Sequence, residues 1–364
     1  IRMKIAVLGG GMVGSLIATE LSKDYHITVI DNEPRNLEGV KSKIMDVNSE
    51  EFTLEILNYN IAINCLPGFM GFKILETLID KEVSCIDISF MPENCLDLSR
   101  MAQTKNCIVV PDAGVAPGLS NLIIGNIVAN NDIKEIKIMV GGLPKKKNPP
   151  WNYKAPFSPI DVIEEYTRPV RIKVNGEILV KEALTDIQNF EVENIGKLEA
   201  FLTDGLRTLL NSDQKISSIP NLSEYTIRYP GHADLIKKLI KDGKFSNDII
   251  QYKNKKITKK ERTCMKLFKE WKLDNEDEFT FMIILAKTKT GKDIAYTVYD
   301  ERTNGWSSMS RTTGLTACAF TKLLVNKKIS GNGIQCPEKL GQIESNYHFV
   351  LDYLKEKGIS IQSN

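Results

Sequence analysis

Histidine is scarce in this chain. Three stand among 364 residues, at positions 26, 232 and 348, and no two lie at a spacing that ligates zinc. No metal site is therefore expected. The seven cysteines, at 65, 85, 95, 107, 264, 318 and 336, are odd in number and form no CxxC pair. That excludes a disulfide framework and fits buried thiols in a reducing compartment, so a cytoplasmic location is expected. No apolar run approaches the ~20 residues that span a bilayer, and the first core strand begins so early that no signal peptide is expected. Neither sign of charge dominates: 48 basic residues nearly cancel 46 acidic ones, for a net charge of +2. The basic runs Lys145–Lys147 and Lys253–Lys260 read as solvated loops, so no nucleic-acid partner is expected. Internal repeats and low-complexity tracts are also missing.

Against these absences, one stretch stands out. Lys4–Leu8 reads as a buried strand, Gly9-Gly10-Gly11 as a turn, and Met12-Val13-Gly14 as the start of a helix. Gly9 permits the tight turn, Gly11 lets backbone approach a pyrophosphate, and Gly14 lets the helix pack close to the strand. The helix N-terminus offers free N–H groups to phosphate. A second strand, His26–Ile30, ends on Asp31, an acid placed to bond the ribose of an adenosine about 20 residues past the glycines. A dinucleotide site follows. Asp31 also repels a 2′-phosphate, so NAD is favoured over NADP, although Arg35 stands near enough to serve a phosphate.

Short apolar strands alternate with helical patterns as far as Val110. They recur at Lys43–Val47, Ile61–Cys65, Ser84–Ile88 and Cys107–Val110. This is the pattern of a doubly wound parallel sheet, a Rossmann domain, whose ligands bind at the carboxyl ends of the strands. That rule gathers Gly9 to Gly14, Asp31, Asp46, Val47, Leu66, Pro67, Ile88, Ser89, Phe90, Asp112, Gly114 and Val115 on one rim. Beyond Asn130 the rhythm changes. Strands follow with fewer helices between them, at Lys134–Gly142, Val170–Val174, Asn189–Val192, Glu224–Tyr229, Phe279–Ala286 and Asp293–Tyr299, which predicts a mixed sheet. Helices are expected over Thr312–Val325 and Glu344–Lys357. The domain division is thus 1–120 with 312–364 for the dinucleotide unit, and 121–311 for an α/β substrate unit.

The chain resembles the saccharopine dehydrogenase family. The resemblance rests on the glycine turn, on Pro111-Asp112-Ala113-Gly114-Val115-Ala116-Pro117-Gly118, on Thr226-Ile227-Arg228-Tyr229-Pro230-Gly231-His232 and on Ser310-Arg311-Thr312-Thr313-Gly314. The run Thr203-Asp204-Gly205-Leu206-Arg207 tilts it toward the members that oxidise lysine. The resemblance implies a homodimeric NAD(P)-dependent oxidoreductase that removes hydride from a carbon bearing nitrogen. Oxidative deamination of the L-lysine ε-amine to the 6-semialdehyde is the first expectation. A saccharopine or carboxynorspermidine-type substrate is the alternative, and a non-catalytic NAD-binding sensor the distant one.

Within that frame several residues are candidates. Arg228 is expected to fork onto a substrate carboxylate, with Arg207 its rival and Arg311 behind. Asp112, Asp204 and His232 are each candidates to take the amine proton, and water remains a further acceptor. Ser89, Phe90 and Tyr229 match family positions around the substrate. Cys65 lies in an apolar strand with no basic partner, and reads as a buried thiol rather than a nucleophile.

Overall fold

The computed structural model describes residues 2–364. Its first domain contains β1 (Lys4–Leu8), β2 (His26–Asp31), β3 (Lys41–Ile44), β4 (Ile61–Asn64), β5 (Ser84–Asp87) and β6 (Ile108–Val110). The second contains β7 (Ile133–Pro144), β8 (Val170–Val174), β9 (Glu177–Lys181), β10 (Gln188–Val192), β11 (Gly196–Leu202), β12 (Asn221–Arg228), a small hairpin of β13 (Ile249–Tyr252) and β14 (Lys255–Thr258), then β15 (Glu278–Thr288) and β16 (Asp293–Glu301). The chain ends with β17 (Gly333–Ile334) and β18 (Ser360–Ser363).

The first sheet is wholly parallel, in the order β17-β6-β5-β4-β1-β2-β3. Strands β1 and β4 are buried along almost their whole length because helices cover both faces. Strand order reverses between β1 and β4, which opens a crevice at their carboxyl ends. The expected strand at Lys43–Val47 is shifted: β3 is an exposed edge strand that stops at Ile44. Beyond it the chain turns, and Val47 is buried in the core.

The second sheet is mixed, as its pattern predicts. Its order is β10-β11-β12-β7-β15-β16-β18, with β8 and β9 attached beside β12. Only β12 and β7 run parallel; the other pairs are antiparallel. Sequence reading overlooks β9 and β11, and it overlooks the helices His232–Lys241 and Lys259–Glu270. β9 is exposed at every residue, so its sequence carries no in–out alternation to read.

The C-terminal segment serves both units. Helix Ser308–Val325 packs on helix Met12–Leu21, and β17 extends the first sheet beside β6. The last strand, β18, departs from the expected division at residue 312. It pairs with β16 and covers that edge of the second sheet. One apolar cluster runs through Val7 and Ile63 of the first sheet, Leu315 and Phe320 of the C-terminal helix, and Ile138 and Ile284 of the second sheet. Polar contacts also cross the cleft. Asp161 accepts from the Gly68 amide at 3.2 Å, and Arg168 Nη2 donates to the Phe90 carbonyl at 3.1 Å.

Candidate active site

The glycine turn has the geometry its sequence suggests. Gly9 has φ +90°, and a Cβ there would lie 3.0 Å from the Cys65 carbonyl oxygen. A Cβ on Gly14 would lie 1.9 Å from the Gly9 oxygen, so helix and strand approach closely only because position 14 is glycine. At Gly11 a Cβ would meet nothing within 4 Å. That open space lies at the N-terminus of helix Met12–Leu21, whose first turn holds no acidic residue. The cradle fits a pyrophosphate.

A cavity of about 570 Å³ starts at this turn and runs between the two domains. Its nucleotide half is lined by Gly9, Gly11, Met12, Val13, Gly14, Asp31, Asp46 and Val47. Asp31 accepts from the Gly10 amide at 2.6 Å and from the Glu33 amide at 3.0 Å, and Arg35 Nε donates to it at 3.2 Å. Burial pushes the Asp31 carboxyl up, but these three donors outweigh it and hold the group below its ordinary range. Farther in, Leu66, Pro67, Ile88, Asp112, Gly114 and Val115 line the wall where the two domains meet, with Ser89 and Phe90 beside them. Ser89 is fixed from below: its Oγ donates to Asp87 at 2.7 Å, and Asn64 donates to the same carboxylate at 2.7 Å. Cys65 also lines the cavity. Burial and the Asp87 charge push its thiol up, so it is no nucleophile at neutral pH.

Arg228 reaches the cavity, whereas Arg207, Asp204, His232 and Tyr229 do not line it. Each of the four has another partner. Arg207 Nε donates to Asp112 Oδ1 at 2.6 Å, and Nη1 donates to the Met91 carbonyl. Asp204 is held by Arg171, whose Nε and Nη2 donate at 3.0 and 2.8 Å. Tyr229 donates to the Pro144 carbonyl at 2.9 Å. Arg311 pairs with Asp300 at 2.8 Å, away from the cavity.

His232 sits in a box of Trp151, Tyr153, Tyr166 and Trp271 rings. Burial, reinforced by Arg228, pushes its imidazole down to about 3, so it is neutral. Its Nδ1 lies 3.0 Å from the Trp151 carbonyl, which fixes Nδ1 as the protonated nitrogen and leaves Nε2 to accept from the Tyr166 hydroxyl at 2.9 Å. The Tyr166 oxygen in turn accepts from Arg228 Nε at 3.0 Å. His232 thus orients the cavity arginine through one tyrosine and does not face the cavity itself.

Three acids outside the sequence candidates join the wall. Glu165 accepts from Arg228 Nη2 at 3.1 Å, Asp161 caps Gly68, and Glu224 lines the cavity from β12. The signal for Glu224 was present. Glu224, Thr226 and Arg228 alternate along a strand, so three polar side chains share one face.

A two-domain chain with a glycine-turn cradle and a polar cavity at the strand ends is built to hold a nicotinamide dinucleotide against a small polar molecule. The sequence matches the profile "Saccharopine dehydrogenase NADP binding domain" over residues 5–110 and "Saccharopine dehydrogenase C-terminal domain" over residues 114–359. The chain belongs to the saccharopine dehydrogenase family. Its fold is similar to saccharopine dehydrogenase (L-Glu forming) from Saccharomyces cerevisiae, with a TM-score of 0.78 at 16% identity, covering 100% of this chain and 99% of that one. Among curated proteins it is similar to mitochondrial alpha-aminoadipic semialdehyde synthase. The rat protein is 21% identical over 66% of this chain, and the Bos taurus protein 23% identical over 72%. The matched regions span only 28% and 31% of those two relatives.

Proposed function

We propose that this chain oxidises the distal amine of a lysine-like diamino acid, with NAD as hydride acceptor, to give the semialdehyde. One observation carries the reading. Beyond the nucleotide half, Arg228 is the one cationic side chain lining the described cavity; of the four carboxyls there, Asp112 is paired with Arg207, Glu165 with Arg228 and Asp161 with the Gly68 amide, which leaves Glu224 for a substrate cation. A substrate with one carboxylate and two amines matches that balance. A tricarboxylate of the saccharopine type would bring three carboxylates to a single lining arginine.

When bound, the nicotinamide supplies the hydride acceptor; the chain supplies grip, orientation and proton transfer. Arg228 grips the α-carboxylate. It is preset by Tyr166 and Glu165, so little side-chain freedom is lost on binding. Phe90 and Ser89 line the wall beyond the nucleotide half, where the substrate would lie against the nicotinamide. Desolvation there favours the neutral amine that hydride loss requires.

Saccharopine oxidation is the second reading. Arg168 favours it. This buried guanidinium has no hydrogen-bond partner for Nε or Nη1 and stacks 4.3 Å from the Phe90 ring centre. An assay with lysine, saccharopine and carboxynorspermidine, each with NAD and NADP, tests both. Lysine should give the highest kcat/KM with NAD; saccharopine ahead of lysine would sink the first reading.

Cofactor choice has its own test. Asp31→Ser removes a charged acceptor and frees Arg35 for a 2′-phosphate. Charge-assisted ribose bonds contribute about 1.5–3 kcal/mol. The NADH to NADPH affinity ratio, read by fluorescence titration, should therefore fall about 10- to 100-fold. An unchanged ratio removes Asp31 from ribose recognition.

A further inference from the structure

Among the acids of the cavity, Glu224 alone has no visible reason to be there. Asp112 is paired with Arg207, Glu165 with Arg228, and Asp161 with the Gly68 amide. Glu224 is 4% exposed, and its Oε2 has no hydrogen-bond partner. A buried carboxylate without a partner is costly, and a fold keeps one only where something else compensates. Room has been made for it: a Cβ on Gly205 would lie 1.8 Å from Glu224 Oε1. On the same face of β12, Thr226 follows it and then Arg228. The floor of the cavity therefore carries an uncommitted carboxyl at one end and a guanidinium at the other. Four strand residues set their Cα atoms about 13 Å apart.

We infer that Glu224 is a catalytic residue: it receives the distal ammonium of the substrate while Arg228 holds the carboxylate, and it takes the proton that must leave before oxidation. The inference rests on the lysine-like reading above. The substrate R–CH2–NH3⁺ gives one proton to the Glu224 carboxylate, leaving R–CH2–NH2 and a carboxylic acid. The C–H bond then breaks, its electron pair leaves as hydride to NAD, and the nitrogen lone pair forms C=N. Water hydrolyses the iminium to aldehyde and ammonium. The proton on Glu224 is the single proton released per turnover.

The surroundings tune the group for this work. Burial pushes the Glu224 carboxyl up to about 8, the nearby Glu165, Asp204 and Asp112 charges add to the rise, and Arg207 opposes it. A base poised near the working pH transfers protons efficiently. With the cavity empty at pH 7, Glu224 is protonated, so an arriving ammonium must displace that proton.

Calorimetry of L-lysine binding to the NADH-loaded enzyme, in two buffers of different ionisation heat at pH 7, reads this directly. Wild type should release close to one proton per lysine bound. Glu224→Gln should release none, bind lysine at least tenfold more weakly and keep its NADH affinity. Its melting temperature at pH 9 should exceed that of wild type, because an unpaired buried charge is gone; a merely structural glutamate would give the opposite. In turnover, the wild-type kcat/KM should rise with pH up to about 8 and then level, and the variant should lose that limb. Gly205→Ala, which crowds the carboxylate without changing its chemistry, should weaken lysine in the same way. Lysine turnover by wild type with proton release unchanged in Glu224→Gln would overturn the Glu224 assignment alone. Failure of wild type to bind lysine would overturn the reading beneath it as well.

Discussion

Arg207→Met is expected to lower the stability of the fold by about 3–5 kcal/mol, because it leaves the Asp112 carboxylate buried without its counter-charge. The two side chains are 4% and 1% exposed, and their contact is 2.6 Å. Asp112 Oδ2 has no other hydrogen bond to fall back on. Both residues also sit in left-handed backbone, Asp112 at φ 51° and Arg207 at φ 48°. Such a conformation costs on the order of 1–3 kcal/mol per residue, and here the ion pair and the Met91 carbonyl hold it in place. The pair spans the cleft, since Asp112 follows β6 and Arg207 follows β11. The variant should therefore melt roughly 4–7 °C lower and show a raised KM for the amine. Arg207→Met combined with Asp112→Asn should recover a large part of the loss, because no charge is then left unpaired. A single variant that melts within 1 °C of wild type would falsify the pair as a structural clasp.

The parts of this molecule legible in the sequence are those set by local geometry. The glycine turn is one: Gly9 takes φ +90°, and a Cβ on Gly14 would strike the Gly9 oxygen five residues before it. Asp31 is another, since the end of β2 beside that turn has one direction to face. Short apolar strands between helices lead directly to the parallel sheet, because both faces of each strand must be covered.

Partners supplied from far along the chain are not legible. Arg171 takes Asp204 from 33 residues before it, and the box around His232 draws rings from positions 151, 153, 166 and 271. Nothing in Arg228-Tyr229-Pro230-Gly231-His232 shows that the histidine turns toward those rings. The sequence shows a titratable group; the tertiary packing removes its titration from the neutral range. Glu224 is the converse. It reads as one polar residue in a strand, and only the assembled cavity shows that no partner comes to it. Both follow from the same physics: a charge's role is set by its neighbours, and long-range neighbours are a property of the fold.

Arg228→Lys is expected to lower kcat/KM for lysine by about 10- to 100-fold, nearly all of it in KM. The substitution keeps the positive charge, so Glu165 is not left alone. What it loses is the planar fork. Arg228 spends Nε on the Tyr166 oxygen, one Nη1 hydrogen on the Ile227 carbonyl and one Nη2 hydrogen on Glu165. One hydrogen on each terminal nitrogen remains, which is what a carboxylate needs for two parallel bonds. An ammonium has three hydrogens in all and cannot keep Tyr166 and Glu165 while offering two more. Its third hydrogen can still reach the carboxylate, so one charge-assisted bond of about 1.5–3 kcal/mol is lost, hence the fold-change. NADH affinity should stay within about twofold, since Gly9 to Gly14 lie at the other end of the cavity. Steady-state kinetics with lysine and a fluorescence titration with NADH separate the two effects. If KM for lysine is unmoved, Arg228 does not hold the substrate carboxylate.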